Sequence, residues 1–264
     1  WPNFMRCIEI MGGEVIEIPL IYSNSKNTWN LNIKEISKHI KDVKAIYINS
    51  PNNPTGWMMN TEEQMEILEL CRKNKIWIIS DEVYERIIYD RSVAPSFLDL
   101  ANENDLLMVV NSFSKSWAMT GWRLGWIVVP EGLLNIFEKL NEFNVASPSS
   151  PAQYAGVTAI NNGEDFLKKM INNLRSSREL TINFLGNLSR VIFPYPEAAF
   201  YAYFQVKNIS DSEKFCFEVL KDTGVGLAPG TSFGKGGESW IRICYAKSPD
   251  LLNQAFDKLK PALS

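Results

Sequence analysis

Apolar positions along the first 130 residues fall into two rhythms, short runs of four to seven and longer stretches with an apolar residue every third or fourth place. The first rhythm reads as strand and the second as amphipathic helix. Residues 15–20 alternate apolar and polar side chains after the Gly12-Gly13 turn, which predicts a strand. A short helix follows over 32–40, with Ile33, Ile36 and Ile40 on one side, and then a strand over 43–49. The next helix carries Met65, Ile67, Leu68 and Cys71 on its buried side, and Thr61 and Gln64 have the spacing of a capping box at its start. Further apolar runs at 77–80, 106–110 and 124–129 predict three more strands.

Strand-helix-strand steps in succession predict an α/β fold, a mostly parallel sheet flanked by helices. Helical patterns cover 131–143, 151–161 and 164–188, the first two separated by the SPSSP break at 147–151. Beyond them come short strands at 199–205 and 240–245 and helices at 212–221 and 249–259, a smaller C-terminal α/β unit. The expected division is a large domain over 1–175 and a small one over 176–264.

In such a sheet, binding residues collect where parallel strands end. Three of the strands end in polar loops: SPNNPTG at 50–56, Asp81-Glu82, and NSFSKSWAMTGWRLGW at 111–126. The last places Lys115 just after an apolar run, between Ser112 and Ser114 on one side and Arg123 on the other. A lysine held there loses solvation, its pKa falls, and its neutral amine can attack a carbonyl. Hydroxyls and a guanidinium beside it suit a phosphate. An aldehyde bearing a phosphate fits this set, and pyridoxal phosphate is the common cofactor of that description. Taken singly, each residue has a plainer reading: Lys115 a surface lysine, Asp81 a turn cap, Tyr84 a core aromatic, Arg123 a surface ion pair.

Composition removes other classes. The formal charge of the 264 residues is −3 and no basic stripe is present, so nucleic acid and acidic lipid are poor partners. No apolar run is long enough to span a bilayer. A single histidine, His39, lies in a helical pattern and reads as part of a solvated face, which leaves metal sites and serine triads without support. The four cysteines, Cys7, Cys71, Cys216 and Cys244, are far apart and read as reduced core thiols of a cytoplasmic protein.

Five stretches in order, WPN at 1–3, NNPTG at 52–56, SDEVY at 80–84, SFSKSWAMTGWRLGW at 112–126 and WIRICYA at 240–246, resemble the class I/II aminotransferases among the fold-type I pyridoxal-phosphate enzymes. The resemblance implies that Lys115 holds the cofactor as an internal aldimine and then moves a proton between Cα and the cofactor. It implies that Asp81 pairs with the pyridine nitrogen and that Asn53 and Tyr84 hydrogen-bond the phenolate oxygen. Ser112, Ser114 and Arg123 are implied in the phosphate cup and Trp1 in stacking on the ring, while Arg242 and Asn53 are implied in substrate binding, Arg242 at the α-carboxylate. A structural ion pair is the alternative for Arg242. The implied activity is amino transfer between an L-amino acid and a 2-oxo acid, in a homodimer. The same frame also serves pyridoxal-phosphate lyases, and a non-catalytic cofactor-binding or scaffold fragment is the reading from another class. Family members carry a segment ahead of the WPN motif with further cofactor contacts, so the chain is expected to be either a piece of a longer protein or a degenerate form.

Overall fold

In chain order the nine α-helices and ten strands are α1 (Pro2–Ile10), β1 (Ile21–Ser23), β2 (Thr28–Asn30), α2 (Ile33–His39), β3 (Ala45–Asn49), α3 (Thr61–Asn74), β4 (Trp77–Asp81), β5 (Leu107–Ser112), α4 (Phe113–Ser116), β6 (Gly125–Val128), α5 (Leu134–Val145), α6 (Ser150–Asn162), α7 (Glu164–Gly186), β7 (Val191–Ile192), β8 (Tyr201–Val206), α8 (Ser212–Thr223), β9 (Ala228–Pro229), β10 (Trp240–Cys244) and α9 (Pro249–Leu263). These come from a computed structural model that describes all of residues 1–264. The chain forms two compact units. One comprises Ile33–Pro51 and Met58–Ile171, the other Trp1–Asn32, Asn52–Trp57 and Asn172–Ser264.

The first of these, called the sheet unit below, holds four strands in the order β3-β4-β5-β6. β3, β4 and β5 run parallel, with Asn49 beside Asp81 and Asp81 beside Val110, while β6 is antiparallel to β5. Buried Ile48, Ile78, Leu107 and Val109 fill the sheet, and Ile67, Leu68 and Cys71 bury one stripe of α3 against the interior. Gln64 belongs to that stripe, whereas Met65 is exposed because it lies one residue off the i, i+3, i+4, i+7 spacing. The capping box also sits one residue earlier than Thr61 and Gln64. Asn60 Oδ1 accepts from the Glu63 amide at 2.8 Å and Glu63 Oε2 accepts from the Asn60 amide at 3.0 Å. An amide side chain was available just before Thr61 and a carboxylate at the third helical position, and that pair closes the better box.

The second, called the aromatic unit, has a four-stranded sheet β7-β8-β10-β9, antiparallel at every pairing. Residues 1–32 group with it, a discontinuity that a simple cut of the chain at 175 does not contain. Trp29 on β2 is the physical reason. Its ring centroid lies 4.7 Å from Trp240 and 6.0 Å from Tyr203, and Thr28 Oγ1 donates to Glu197 at 3.0 Å. Residues 15–20 form no strand. They alternate as expected, but Pro19 has no amide hydrogen to give, and the pairing that does form is β1 with β2. Of the four free cysteines, Cys71 and Cys216 are buried and Cys244 is partly so, but Cys7 is exposed, since no residue of α1 is buried.

Candidate active site

In the sheet unit, the carboxyl ends of two adjacent parallel strands carry the chemistry. Asp81 closes β4, and Lys115 sits in the single helical turn α4 that follows β5. Tyr47, on the neighbouring strand β3, donates its hydroxyl to Asp81 Oδ2 at 2.7 Å, and the Val83 amide donates to Oδ1 at 3.3 Å. Burial raises the Asp81 carboxyl above the ordinary range, and these two donors work against that rise. Burial first, and the Asp81 charge second, push the Tyr47 phenol far above its usual range, so it remains a donor. The sequence reading did not include Tyr47. Its signal was there in register, because β3 pairs in parallel with β4 and ends beside it, but a tyrosine in an apolar run reads as core.

Lys115 Nζ lies 5.8 Å from the centroid of the Tyr84 ring, and Tyr84 is buried. The structure thus brings these two side chains near one another. Glu82, next in the chain, has a separate set of partners from Asp81. It accepts from Ser80 Oγ at 2.8 Å, Ser96 Oγ at 2.6 Å and the Phe97 amide at 3.2 Å, and burial raises its carboxyl.

Ser112 caps the α4 turn, its Oγ accepting from the Ser114 amide at 3.0 Å while donating to the Leu124 carbonyl at 3.3 Å. Arg123 follows in the left-handed region at φ 52°, exposed, with Nη1 donating to the Thr120 carbonyl at 3.0 Å. Gly125 lets β6 approach β5 at this point, since a Cβ there would sit 2.6 Å from the Asn111 carbonyl oxygen. That approach brings the segment bearing Arg123 back beside Ser112, its register partner being Gly125.

In the aromatic unit, Asn53 and Arg242 meet. Arg242 Nη1 donates to Asn53 Oδ1 at 2.8 Å. Asn53 stands in a loop locked by its own hydrogen bonds, with Asn52 Oδ1 accepting from Thr55 Oγ1 at 2.7 Å and the Gly56 carbonyl accepting from both Glu197 and Ala198 amides at 3.0 Å. Arg242 lies on β10 with no carboxylate bridged to it. Its Nε is buried without a hydrogen-bond partner. No carboxylate forms the structural ion pair of the alternative reading, and the one side-chain acceptor on the guanidinium is Asn53 Oδ1. Trp1 is 48% exposed and precedes the first turn of α1.

No group of three or more histidine, cysteine and carboxylate side chains could hold a metal, and no helix is long and apolar enough to cross a membrane. Comparison with known proteins turns on the whole chain. The family description "aminotransferase class I and II" matches residues 1–259. The chain belongs to the class I and II aminotransferases. Among its relatives, it is 31% identical to the aspartate aminotransferase of Pyrococcus abyssi, over 99% of this chain and 67% of that protein. It is also 31% identical to the probable aspartate/prephenate aminotransferase of Aquifex aeolicus, over 100% of this chain and 68% of that protein. The crystal structure of aspartate aminotransferase from Thermotoga maritima superposes with a TM-score of 0.89 at 31% identity, covering 99% of this chain and 67% of that one. This aminotransferase chain thus spans about two thirds of the length of the relatives it matches. Pyridoxal phosphate is the family's cofactor, and the donor set of the sheet unit fits it: an amine, a half-buried carboxylate, a buried phenol, hydroxyls and a guanidinium near the carboxyl ends of its parallel strands.

Proposed function

We propose that this chain carries the catalytic residues for amino transfer between an L-amino acid and a 2-oxo acid, with Lys115 as the lysine that takes the cofactor covalently. The observation that carries this reading is the placement of Asp81 and Lys115 at the carboxyl ends of neighbouring parallel strands, with Tyr47 holding the carboxylate. Bound pyridoxal phosphate supplies an electron sink for the pair left at the substrate Cα when its proton is removed.

The chain's own groups do the rest. Lys115 Nζ would take the proton from Cα and deliver it to the cofactor carbon on the far side of the amino nitrogen, general acid-base work for an amine at a strand end. Asp81, fixed by Tyr47 and the Val83 amide, offers a carboxylate to the pyridine nitrogen and favours its protonated form. Tyr84 and Asn53 serve the phenolate oxygen, Ser112, Ser114 and Arg123 the phosphate, and Trp1 the face of the ring. Arg242 takes the substrate α-carboxylate with the donors that Asn53 leaves it. The homodimer and cytoplasmic setting implied by the resemblance belong to this proposal, and sedimentation velocity checks the first.

The test is a cycle. The purified chain is mixed with pyridoxal phosphate, titrated with amino acids while the visible spectrum is followed, and then treated with 2-oxo acids. A change with an amino acid, reversed by a 2-oxo acid, supports amino transfer. A chain that gives a band with pyridoxal phosphate but no change with any amino acid defeats it.

A further inference from the structure

Arg242 is a cation with unusual neighbours. Its guanidinium carbon lies 4.3 Å from the centroid of the Tyr201 ring and 4.8 Å from that of Phe233. Tyr201 belongs to β8, whose antiparallel register with β10 sets Tyr203 directly opposite Arg242 and Tyr201 one step further along the same face. Phe233 comes from elsewhere, the 3-10 turn Gly230–Phe233, and is only partly buried. The turn ends at Gly234 with φ 129°, a backbone region that side-chain-bearing residues rarely adopt, and this exit returns the chain toward Lys235 and the start of β10. The Phe233 ring is held in place on the other side by Tyr203, at 6.2 Å and 80°.

The donors of the guanidinium can be counted. Nε is sealed and has no acceptor, Nη1 gives one hydrogen to Asn53 Oδ1, and Nη2 meets no acceptor in the chain. What remains for an incoming anion is the Nη edge, two parallel N–H bonds in one plane. That plane is useful only if it does not turn. An aromatic face near a guanidinium both attracts the charge and opposes rotation about the last side-chain bonds.

We propose that Phe233 is a positioning residue for the substrate carboxylate: with Tyr201 and Asn53 it fixes the plane of the Arg242 guanidinium so that only the Nη edge is offered. This rests on the reading of Arg242 as the carboxylate site given above. Phe233 touches neither cofactor nor reacting atoms in this scheme and acts through Arg242 alone. Its loss weakens every ligand that carries a carboxylate by the same factor and leaves the cofactor lysine unaffected.

The experiment follows the Arg242 side chain directly. The 15N-labelled chain is titrated with propionate, a carboxylate without an amino group, and the arginine Nε–H resonances are recorded, the Arg242 signal being assigned by its absence in Arg242→Lys. Saturable movement of that signal is expected in the native chain, weakened about 5- to 10-fold in Phe233→Leu and restored in Phe233→Tyr, which keeps the ring. Phe233→Met, which keeps the bulk without the aromatic face, is run in parallel in case the leucine variant does not fold, and the same weakening is expected of it. Equal propionate affinity in native, Leu and Met variants, or weakening that Phe233→Tyr shares, overturns the proposal. Failure of Lys115 to react with pyridoxal phosphate while the propionate response persists counts against the amino-transfer reading only. A native chain that reacts with pyridoxal phosphate while its Arg242 signal ignores propionate counts against the carboxylate site and with it the role of Phe233.

Discussion

Two charged side chains, one in each unit, are treated in opposite ways. Asp81 has its donors supplied from within, a phenol at 2.7 Å and an amide at 3.3 Å, so the cost of burying the carboxylate is offset before any ligand arrives. Arg242 is given aromatic faces and one side-chain oxygen, but no anion. Under the proposed function, the difference separates a group that stays put from a group that is met by substrate. A carboxylate that tunes a tightly held cofactor needs a permanent partner, because its charge must not depend on what is bound. A guanidinium that admits substrate after substrate is better left unpaired, since an internal carboxylate would have to be displaced each time.

Substitutions that break this contrast have graded effects. Replacing the amine that works beside Asp81 has the largest. Lys115→Ala is expected to lower turnover about 10²–10⁴-fold, as loss of a positioned general base does, while stopped-flow mixing still detects substrate carboxylate at Arg242. Next comes the unpaired cation. Arg242→Ala is expected to raise KM for amino acid and 2-oxo acid alike by on the order of 10²-fold, with little change in cofactor affinity, read from steady-state kinetics. A uniform fall in kcat with unchanged KM would show that the guanidinium is structural.

Smaller effects sharpen the carboxylate side. Tyr47→Phe strips Asp81 of its side-chain donor and is expected to cost the cofactor-free chain about 1–3 kcal/mol in denaturant unfolding. It also raises the Asp81 carboxyl further, because the Tyr47 hydrogen bond is one of the influences that hold it down. The sign of the pH effect follows from the raised value. Between the ordinary carboxylate range and the raised one, the native chain keeps a proton that the unfolded chain has lost. Stability therefore falls as pH rises through that window, and Tyr47→Phe widens it. Asp81→Asn keeps an acceptor for Tyr47 and removes the titration. The expected result is the smallest of the series, a flatter stability-pH curve in the cofactor-free chain.

The residues of the sheet unit were legible because their chemistry is local. A lysine after an apolar run, serines on either side and an arginine eight positions on announce themselves along the sequence. Strand periodicity located β3, β4 and β5 for the same reason. What stayed hidden depends on register between strands. Tyr47 reaches Asp81 only because β3 ends beside β4, and Phe233 reaches Arg242 only through a turn ending at Gly234. Residues 15–20 misled through the opposite fault, a local alternation with no strand to receive it. The box at Asn60 and Glu63 shows how near such local signals come, since the motif was right in kind and displaced by one residue.

The most direct trial of the central claim is to treat the chain with pyridoxal phosphate, reduce it with borohydride, digest it and weigh the peptides. Reduced cofactor mass on the peptide containing Lys115, absent in Lys115→Ala, is the expected result. Label spread over other lysines, with Lys115 unmodified, would contradict it.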